Sequence, residues 1–371
     1  MKPLLQSFFA AFLFPVFFSP LFTAAAQDKT AEQPVRIETA IVSVPVIVSD
    51  RQGRYVSGLR QSDFTLSDNK VRQQIAFFAA AEEPFNVALI LDTSRSTRTV
   101  LDDIRHAAKD FIKNLRPQDR AMIVTADYEI RALSALTSDR KTLEKAIESA
   151  RVGDYTGTVL RDAISDVLEH DFKTLRGRKA IIVLTDGKDY GSQISEDDLL
   201  DDVEEADTLI YPVFYFTMLA QNAYNPPPRA PRGGWGGVRI GRRGAVIRPF
   251  PRLPRPDVEA RRREREARRR ARIEQRRERA EQRNARAIDF LEELAEHSAG
   301  RFYRSDLTNL KKTFGLIADE LRHQYRLGFY PDDAQPADSF HTLKVEVARP
   351  DVVVRARRSY RTPTPESPVR K

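Results

Sequence analysis

Three short, predominantly apolar runs constrain this chain more than any other feature: residues 85–91 (FNVALIL), 180–184 (AIIVL) and 209–216 (LIYPVFYF). A strand covered on one face alternates apolar and polar residues. A strand covered on both faces has no polar side to show, and it reads as an unbroken apolar run of this length. Helical segments lie between the runs. Residues 100–115 put Ile104, Ala107, Ala108, Phe111 and Ile112 on one face, and Pro117 follows. Residues 143–150, 159–168 and 199–206 predict further helices, and 121–126 a further strand. Alternation of this kind predicts an α/β fold, a doubly wound and mostly parallel sheet.

The two ends of the chain carry a different pattern. Residues 35–48 alternate before becoming continuously apolar, Asp50-Arg51-Gln52-Gly53 is turn chemistry, and 64–66 and 71–79 predict short strands. Late in the chain an amphipathic helix over 307–325 leads into strands at 325–330, 343–348 and 352–356. Each set is too small to be stable alone, so the two are expected to complete one small β-module. The expected layout is β-module strands at 35–82, an α/β domain at 85–325, closing strands at 326–360 and a loose tail at 361–371.

The α/β domain is expected to be interrupted at 220–286. Residues 226–256 hold 8 Pro and 6 Gly, a linker without a core. Residues 257–286 are mostly Arg, Glu, Ala and Gln, with Glu259–Arg263, Glu264–Arg268 and Glu266–Arg270 at helical i,i+4 spacing. The run continues into Ile288, Leu291, Leu294 and Ala295 before Gly300. It predicts one long helix: a solvated arm whose last turns dock on the sheet, preceded by a strand-to-linker junction and followed by a strand at 301–304.

This insertion also explains the charge. The net charge is +8, but residues 229–286 hold 21 Arg and only 7 acidic residues, while the remainder holds 40 basic and 46 acidic. Basicity concentrated in one segment weakens any inference from net charge to a nucleic-acid fold. The arm also lacks the interleaved aromatics on which single strands stack, so nucleic acid is an unlikely partner. It reads either as a solvated spacer or as a contact for an anionic membrane or envelope polymer through 229–286.

The N-terminus begins Met1-Lys2, continues apolar from Leu4 to Phe22, and reaches Ala24-Ala25-Ala26-Gln27. That order fits a signal peptide over 1–26, with Pro15 and Pro20 disfavouring a spanning helix. An exported, periplasmic or secreted protein is expected, or a membrane-anchored one if the segment is retained. There is no cysteine, which excludes disulfides, thiolate metal sites and cysteine nucleophiles.

Parallel sheets place their sites beyond the carboxyl ends of the strands. Asp92-Thr93-Ser94-Arg95-Ser96 follows the first apolar run, Asp186-Gly187 follows the second, and Gly157-Thr158 precedes a helix. Asp92, Ser94, Ser96, Thr158 and Asp186 offer two carboxylates and three hydroxyls, an all-oxygen set suited to Mg²⁺ or Mn²⁺ rather than zinc or copper. An ion held by only two charged ligands stays electrophilic and can accept a carboxylate from outside. The same residues have ordinary uses: Ser94, Ser96 or Thr97 as helix caps, and Thr185-Asp186-Gly187 as a turn.

Taken in order, Asp92-x-Ser94-x-Ser96, Thr158 and Asp186 resemble the metal-ion-dependent adhesion site (MIDAS) of von Willebrand factor type A (VWFA) domains. The flanking Val48–Arg54 stretch, Asp63-Phe64, Leu184–Asp189 and Leu321–Pro331 resemble the exported VWFA-related family known from acidobacteria. The resemblance implies a Rossmann-like fold over about 85–325 and a Mg²⁺ or Mn²⁺ site that captures an acidic side chain of a protein partner, in adhesion or envelope-complex assembly. Arg95 stands where such domains usually have a small residue, and the Arg-rich insertion departs from the family pattern. A structural tether, in which the arm binds anionic surfaces and the metal site is vestigial, is the alternative. No enzyme is expected: there is no Asp-x-Asp phosphatase pair, no Gly-x-Ser-x-Gly elbow, no phosphate loop and no His at ligand spacing.

Overall fold

The computed structural model describes residues 41–80, 83–155, 157–215, 256–331 and 339–361. The expected signal segment, the linker at 220–255 and the tail past 361 lie outside the described residues. The chain opens with β1 (Val42–Asp50), β2 (Phe64–Asp68), β3 (Val71–Gln73) and β4 (Phe77–Ala79). Residues 71–79, expected as one strand, are two. β3 pairs with β2 across a tight turn in which Asn69 and Lys70 both take positive φ, the geometry of a two-residue hairpin. The chain then crosses to another sheet, where β4 pairs with a strand from the far end of the sequence.

The α/β domain follows: β5 (Phe85–Asp92), α1 (Leu101–Lys113), β6 (Arg120–Ala126), β7 (Ile130–Thr137), α2 (Arg140–Ser149), α3 (Leu160–Asp166), β8 (Arg178–Thr185), α4 (Glu196–Glu205) and β9 (Thr208–Phe214). After the insertion come α5 (Pro256–His297), β10 (Tyr303–Arg304) and α6 (Leu310–Arg322). The sheet order is β10-β9-β8-β5-β6-β7, parallel throughout except for β7, which runs antiparallel at the edge. The sequence pattern does not predict β7, and of the strand expected at 301–304 only the last two residues pair.

The apolar runs are covered on both faces, as their composition requires. Val87, Leu89 and Leu91 of β5 pack with Ile104 and Phe111 of α1, Leu143 and Ile147 of α2, and Phe314 and Ile317 of α6. Ala88 and Ile90 point the other way, to Leu160 and Ile164 of α3, Leu199 and Val203 of α4, and Leu291 and Leu294 of α5. Each fully buried Leu, Ile or Phe contributes about 2 kcal/mol through area removed from water.

The final strands are β11 (Gln324–Phe329), β12 (Phe340–Val347), β13 (Val352–Ala356) and β14 (Ser359–Arg361). They join the N-terminal strands in two antiparallel sheets, β13-β1-β11-β4 and β14-β12-β2-β3. The sheets share a core of Val44, Val46, Leu66, Tyr325, Leu327 and Phe329. Both ends of the chain therefore build one β-module, because neither end alone supplies a second sheet. Arg361, expected in the tail, is the last residue of β14.

The long helix α5 forms with i,i+4 ion pairs: Arg268–Glu264 as expected, Arg262–Glu266 in place of the expected Glu266–Arg270, and Arg277–Glu281 in addition. Among its described side chains, only those of the final turns are buried, through Leu291, Leu294 and Ala295. Its end is tightly fitted: Ala299 takes a left-handed conformation (φ 58°), and a Cβ on Gly300 would collide with the Ile210 carbonyl oxygen. The sequence points to Gly300 as the helix terminator; the structure gives the left-handed position to Ala299, and Gly300 is required instead by this close approach to β9. Among the described residues, no helix is long and apolar enough to cross a membrane.

Candidate metal centre

The chain runs from β5 to β6 and β7 on one side of the sheet, then returns to place β8 and β9 on the other side of β5. The crevice at the ends of β5 and β8 is thus the topological switch point at which open α/β sheets bind ligands. Asp92 is the last residue of β5, and Asp186 directly follows β8.

Local hydrogen bonds fold the loop after β5 into a cup. Ser94 N–H donates to Asp92 Oδ1 (2.9 Å), Thr97 Oγ1–H donates to the Ser94 carbonyl (2.8 Å), and the hydroxyl oxygens of Ser94 and Ser96 stand 2.9 Å apart. The second Asp92 oxygen accepts from Thr185 Oγ1 at 2.9 Å, which ties the end of β5 to the end of β8. The expected capping by Ser94, Ser96 or Thr97 is not realised: neither the short 3-10 turn nor α1 has a side-chain cap, and the Ser94 and Ser96 hydroxyls remain together. Arg95 is exposed beside them.

Thr158 sits on the neighbouring loop, 2 % exposed. Its carbonyl accepts from Tyr190 N–H (3.2 Å) and Gly191 N–H (3.0 Å), so the loop before α3 is fastened to the loop after β8. Asp189 strengthens that joint by accepting from Arg161 N–H at 2.9 Å. Lys188 places its ammonium against Asp186. The structure therefore gathers Asp92, Ser94, Ser96 and Asp186 at one pair of strand ends and brings Thr158 alongside on a loop bonded to the Asp186 loop.

Burial dominates the electrostatics at Asp92. Asp92 is completely buried, and burial first, then the nearby Asp186 carboxylate, push its pKa from the ordinary 3.8 up to about 7. Hydrogen bonds from Ser94 and Thr185 oppose that rise. Tyr215, just past β9, is also buried, and its hydroxyl finds no hydrogen-bond partner among the described residues. Burial, with the charges of Asp92 and Asp186 behind it, raises the Tyr215 phenol well above its ordinary value.

Among the described residues no three His, Asp or Glu side chains converge as a ligating group. An ion at this crevice would rest on two carboxylates and neutral hydroxyls. That set fits a hard divalent cation: it would neutralise the Asp92 carboxylate, whose charged form burial and the neighbouring Asp186 disfavour.

Two supporting residues escape sequence reasoning. Thr185 is visible there only as part of a turn, yet it bonds Asp92 directly. Asp127, after β6, accepts from Thr93 Oγ1 (3.0 Å), is met by Arg131, and its carbonyl accepts from Val159 N–H (2.9 Å). It fixes the β5 loop and the Thr158 loop together; a carboxylate directly after a buried strand is its only signal.

Residues 86–226 match the family model of the von Willebrand factor type A domain. The fold of the six-stranded sheet and its helices is the VWFA fold. No curated protein matches the sequence. Among solved structures, the chain is similar to an aerotolerance-related membrane protein from Bacteroides fragilis at 17% identity, over 64% of this chain and 98% of that one, with a TM-score of 0.40. It is also similar to the vWF domain of the type V pili tip protein of Porphyromonas gingivalis (11% identity, 64% and 94% covered, TM-score 0.39). A third is proximal thread matrix protein 1 from the mussel byssus, solved with a zinc-occupied MIDAS motif (12% identity, 67% and 48% covered, TM-score 0.42).

Proposed function

We propose that the chain is an exported protein-binding module whose VWFA domain holds Mg²⁺ or Mn²⁺ through Asp92, Ser94, Ser96, Thr158 and Asp186 and captures an acidic side chain of a protein partner. VWFA domains are modules that typically mediate protein–protein interaction, which supports the general class. The observation that carries the metal reading is the pair of buried carboxylates at adjacent parallel strand ends, with Asp92 pushed up to about 7 by burial and by the Asp186 charge.

The bound ion would act as a Lewis acid that accepts one oxygen from outside the chain. This chain's own residues do the rest. Thr185 and the Ser94 amide hold Asp92 in one orientation, and the Ser94–Ser96 hydroxyl pair supplies neutral donors that leave the ion electrophilic. The function we propose for the set is binding rather than catalysis. Adhesion or assembly of an envelope complex is the context we infer, with the expected signal segment at 1–26 directing export.

Calorimetric titration with Mg²⁺ tests the reading. The wild-type chain should bind one ion, and Asp92→Ala and Asp186→Ala should each abolish the binding heat. Equal binding by all three proteins would rule the site out.

A further inference from the structure

The Arg-rich arm and the metal crevice lie at the same edge of the sheet. A Cβ built on Gly187, one residue past Asp186, would meet Ala287 of α5 at 2.8 Å, so the helix passes directly against the loop that carries Asp186. Eleven residues further along, Ser298 Oγ accepts from Ile210 N–H near the start of β9 (3.0 Å). The helix thus runs from the carboxyl edge of the strands towards their amino edge. Its residues 260–286 precede the docked turns, and continued at 1.5 Å per residue they carry the arm about 40 Å past the edge where the crevice opens.

Where the arm leaves the domain, Arg283 and Arg286 share a cavity of 140 Å³ with Lys188 and Tyr190 of the loop after Asp186. Both arginines are exposed. Tyr190 is 65% exposed, and on the same edge Tyr128 and Tyr155 are 57% and 66% exposed with ring centroids 5.6 Å apart. Exposed tyrosines beside arginines make up the kind of surface that anchors protein partners.

We infer that the crevice and the root of the arm form one composite site for an acidic polypeptide segment, one carboxylate reaching the metal centre and a neighbouring one pairing with Arg283 and Arg286. The inference rests on the metal reading above and adds the second contact. A polypeptide fits better than a lipid surface because Asp92, Thr158 and Asp186 are each no more than 3% exposed. A protruding side chain reaches groups so recessed; a flat layer of headgroups does not. The arm has charge to offer, with 13 Arg against 5 Glu over residues 260–286.

The test uses the full chain and two labelled probes followed by fluorescence anisotropy: hexa-aspartate, and an amidated pentapeptide with a single Asp among glycines. In Mg²⁺, Arg283→Ala/Arg286→Ala should weaken hexa-aspartate about five-fold and leave the single-Asp peptide unchanged, since two exposed ion pairs are lost. Arg268→Ala/Arg269→Ala, further out on the arm, should change neither by more than about two-fold. All four arginines are exposed, and circular dichroism should return the wild-type spectrum for both double variants. Equal hexa-aspartate affinity in wild type and Arg283→Ala/Arg286→Ala, or equal weakening by the two double variants, overturns the composite site. So does EDTA-resistant binding of phosphatidylglycerol vesicles that displaces hexa-aspartate, which would make the arm a lipid contact. Loss of any Mg²⁺ response with both peptides overturns the metal reading itself, a result separable from the other three.

Discussion

Replacing Asp92 by Asn should stabilise the metal-free protein and remove its response to Mg²⁺. A carboxyl held near 7 in the folded chain and at 3.8 when unfolded takes up a proton on folding between those values. The folded pKa is raised, so the stability associated with Asp92 is full below pH 4, falls as pH rises, and is lost above pH 7. At pH 8 the ionised form therefore costs about 4 kcal/mol. The asparagine side chain carries no such penalty. It keeps an acceptor for the Ser94 amide but offers an amide where Thr185 Oγ1 now donates, a loss of about 1 kcal/mol. Urea denaturation in EDTA should find Asp92→Asn more stable than wild type by about 3 kcal/mol at pH 8, with the difference vanishing or reversing by pH 4. Saturating Mg²⁺ should then raise the wild-type midpoint and leave the variant unmoved, which inverts the order. A stability difference that does not depend on pH, or a wild type that is more stable than the variant in EDTA at pH 8, would refute the reasoning that Asp92 is a charge waiting for a cation.

Two further changes probe the surroundings of the site. Lys188→Ala removes the ammonium that lies against Asp186, and losing this partly exposed pair, worth about 1 kcal/mol, should tighten Mg²⁺ binding about five-fold by calorimetry; unchanged or weaker binding would mean that Lys188 does not compete with the ion. Gly300→Ala forces a Cβ into the Ile210 carbonyl, a backbone clash that no rotamer relieves, and should cost about 3 kcal/mol or more in urea denaturation; a wild-type midpoint would show that β9 and the end of α5 can separate without penalty.

The parts of the fold legible in the sequence are those in which one local pattern has one physical solution. The apolar runs at β5, β8 and β9 can only be strands covered on both faces, and the amphipathic stretches between them have to cover those faces. β7 is not legible for the opposite reason. It is a half-exposed edge strand with a register irregularity against β6, so its apolar residues Ile130, Ala132, Leu133, Ala135 and Leu136 follow no clean period. The split of residues 71–79 is hidden because both halves have strand composition, and only the second sheet on the far side of the core separates them. At the site, Asp92, Ser94, Ser96 and Asp186 are readable because each is fixed by its place at a strand end. Thr185 and Asp127 are not, since their contribution is a hydrogen bond to a residue 93 or 34 positions away.

The arm shows most clearly what a linear reading misses. Sequence makes it an independent feature, separated from Asp186 by an unpatterned linker, and its charge invites a separate role. Its position is nevertheless set at two points: by Gly300 and Ser298 against Ile210 at one edge of the sheet, and by Ala287 against Gly187 at the other. A rigid helix held at both ends of its docked segment cannot swing away from the crevice, so its positive field falls on whatever approaches the metal centre. An acidic partner then feels attraction before contact, which raises its rate of encounter and makes that rate fall with salt, while a basic partner is turned away. The residues outside 229–286 are net acidic, with 40 basic against 46, and would by themselves repel the acidic segment we propose as ligand. The described arm, with 13 Arg against 5 Glu over residues 260–286, sets the opposite sign at the edge where the proposed acidic segment would approach.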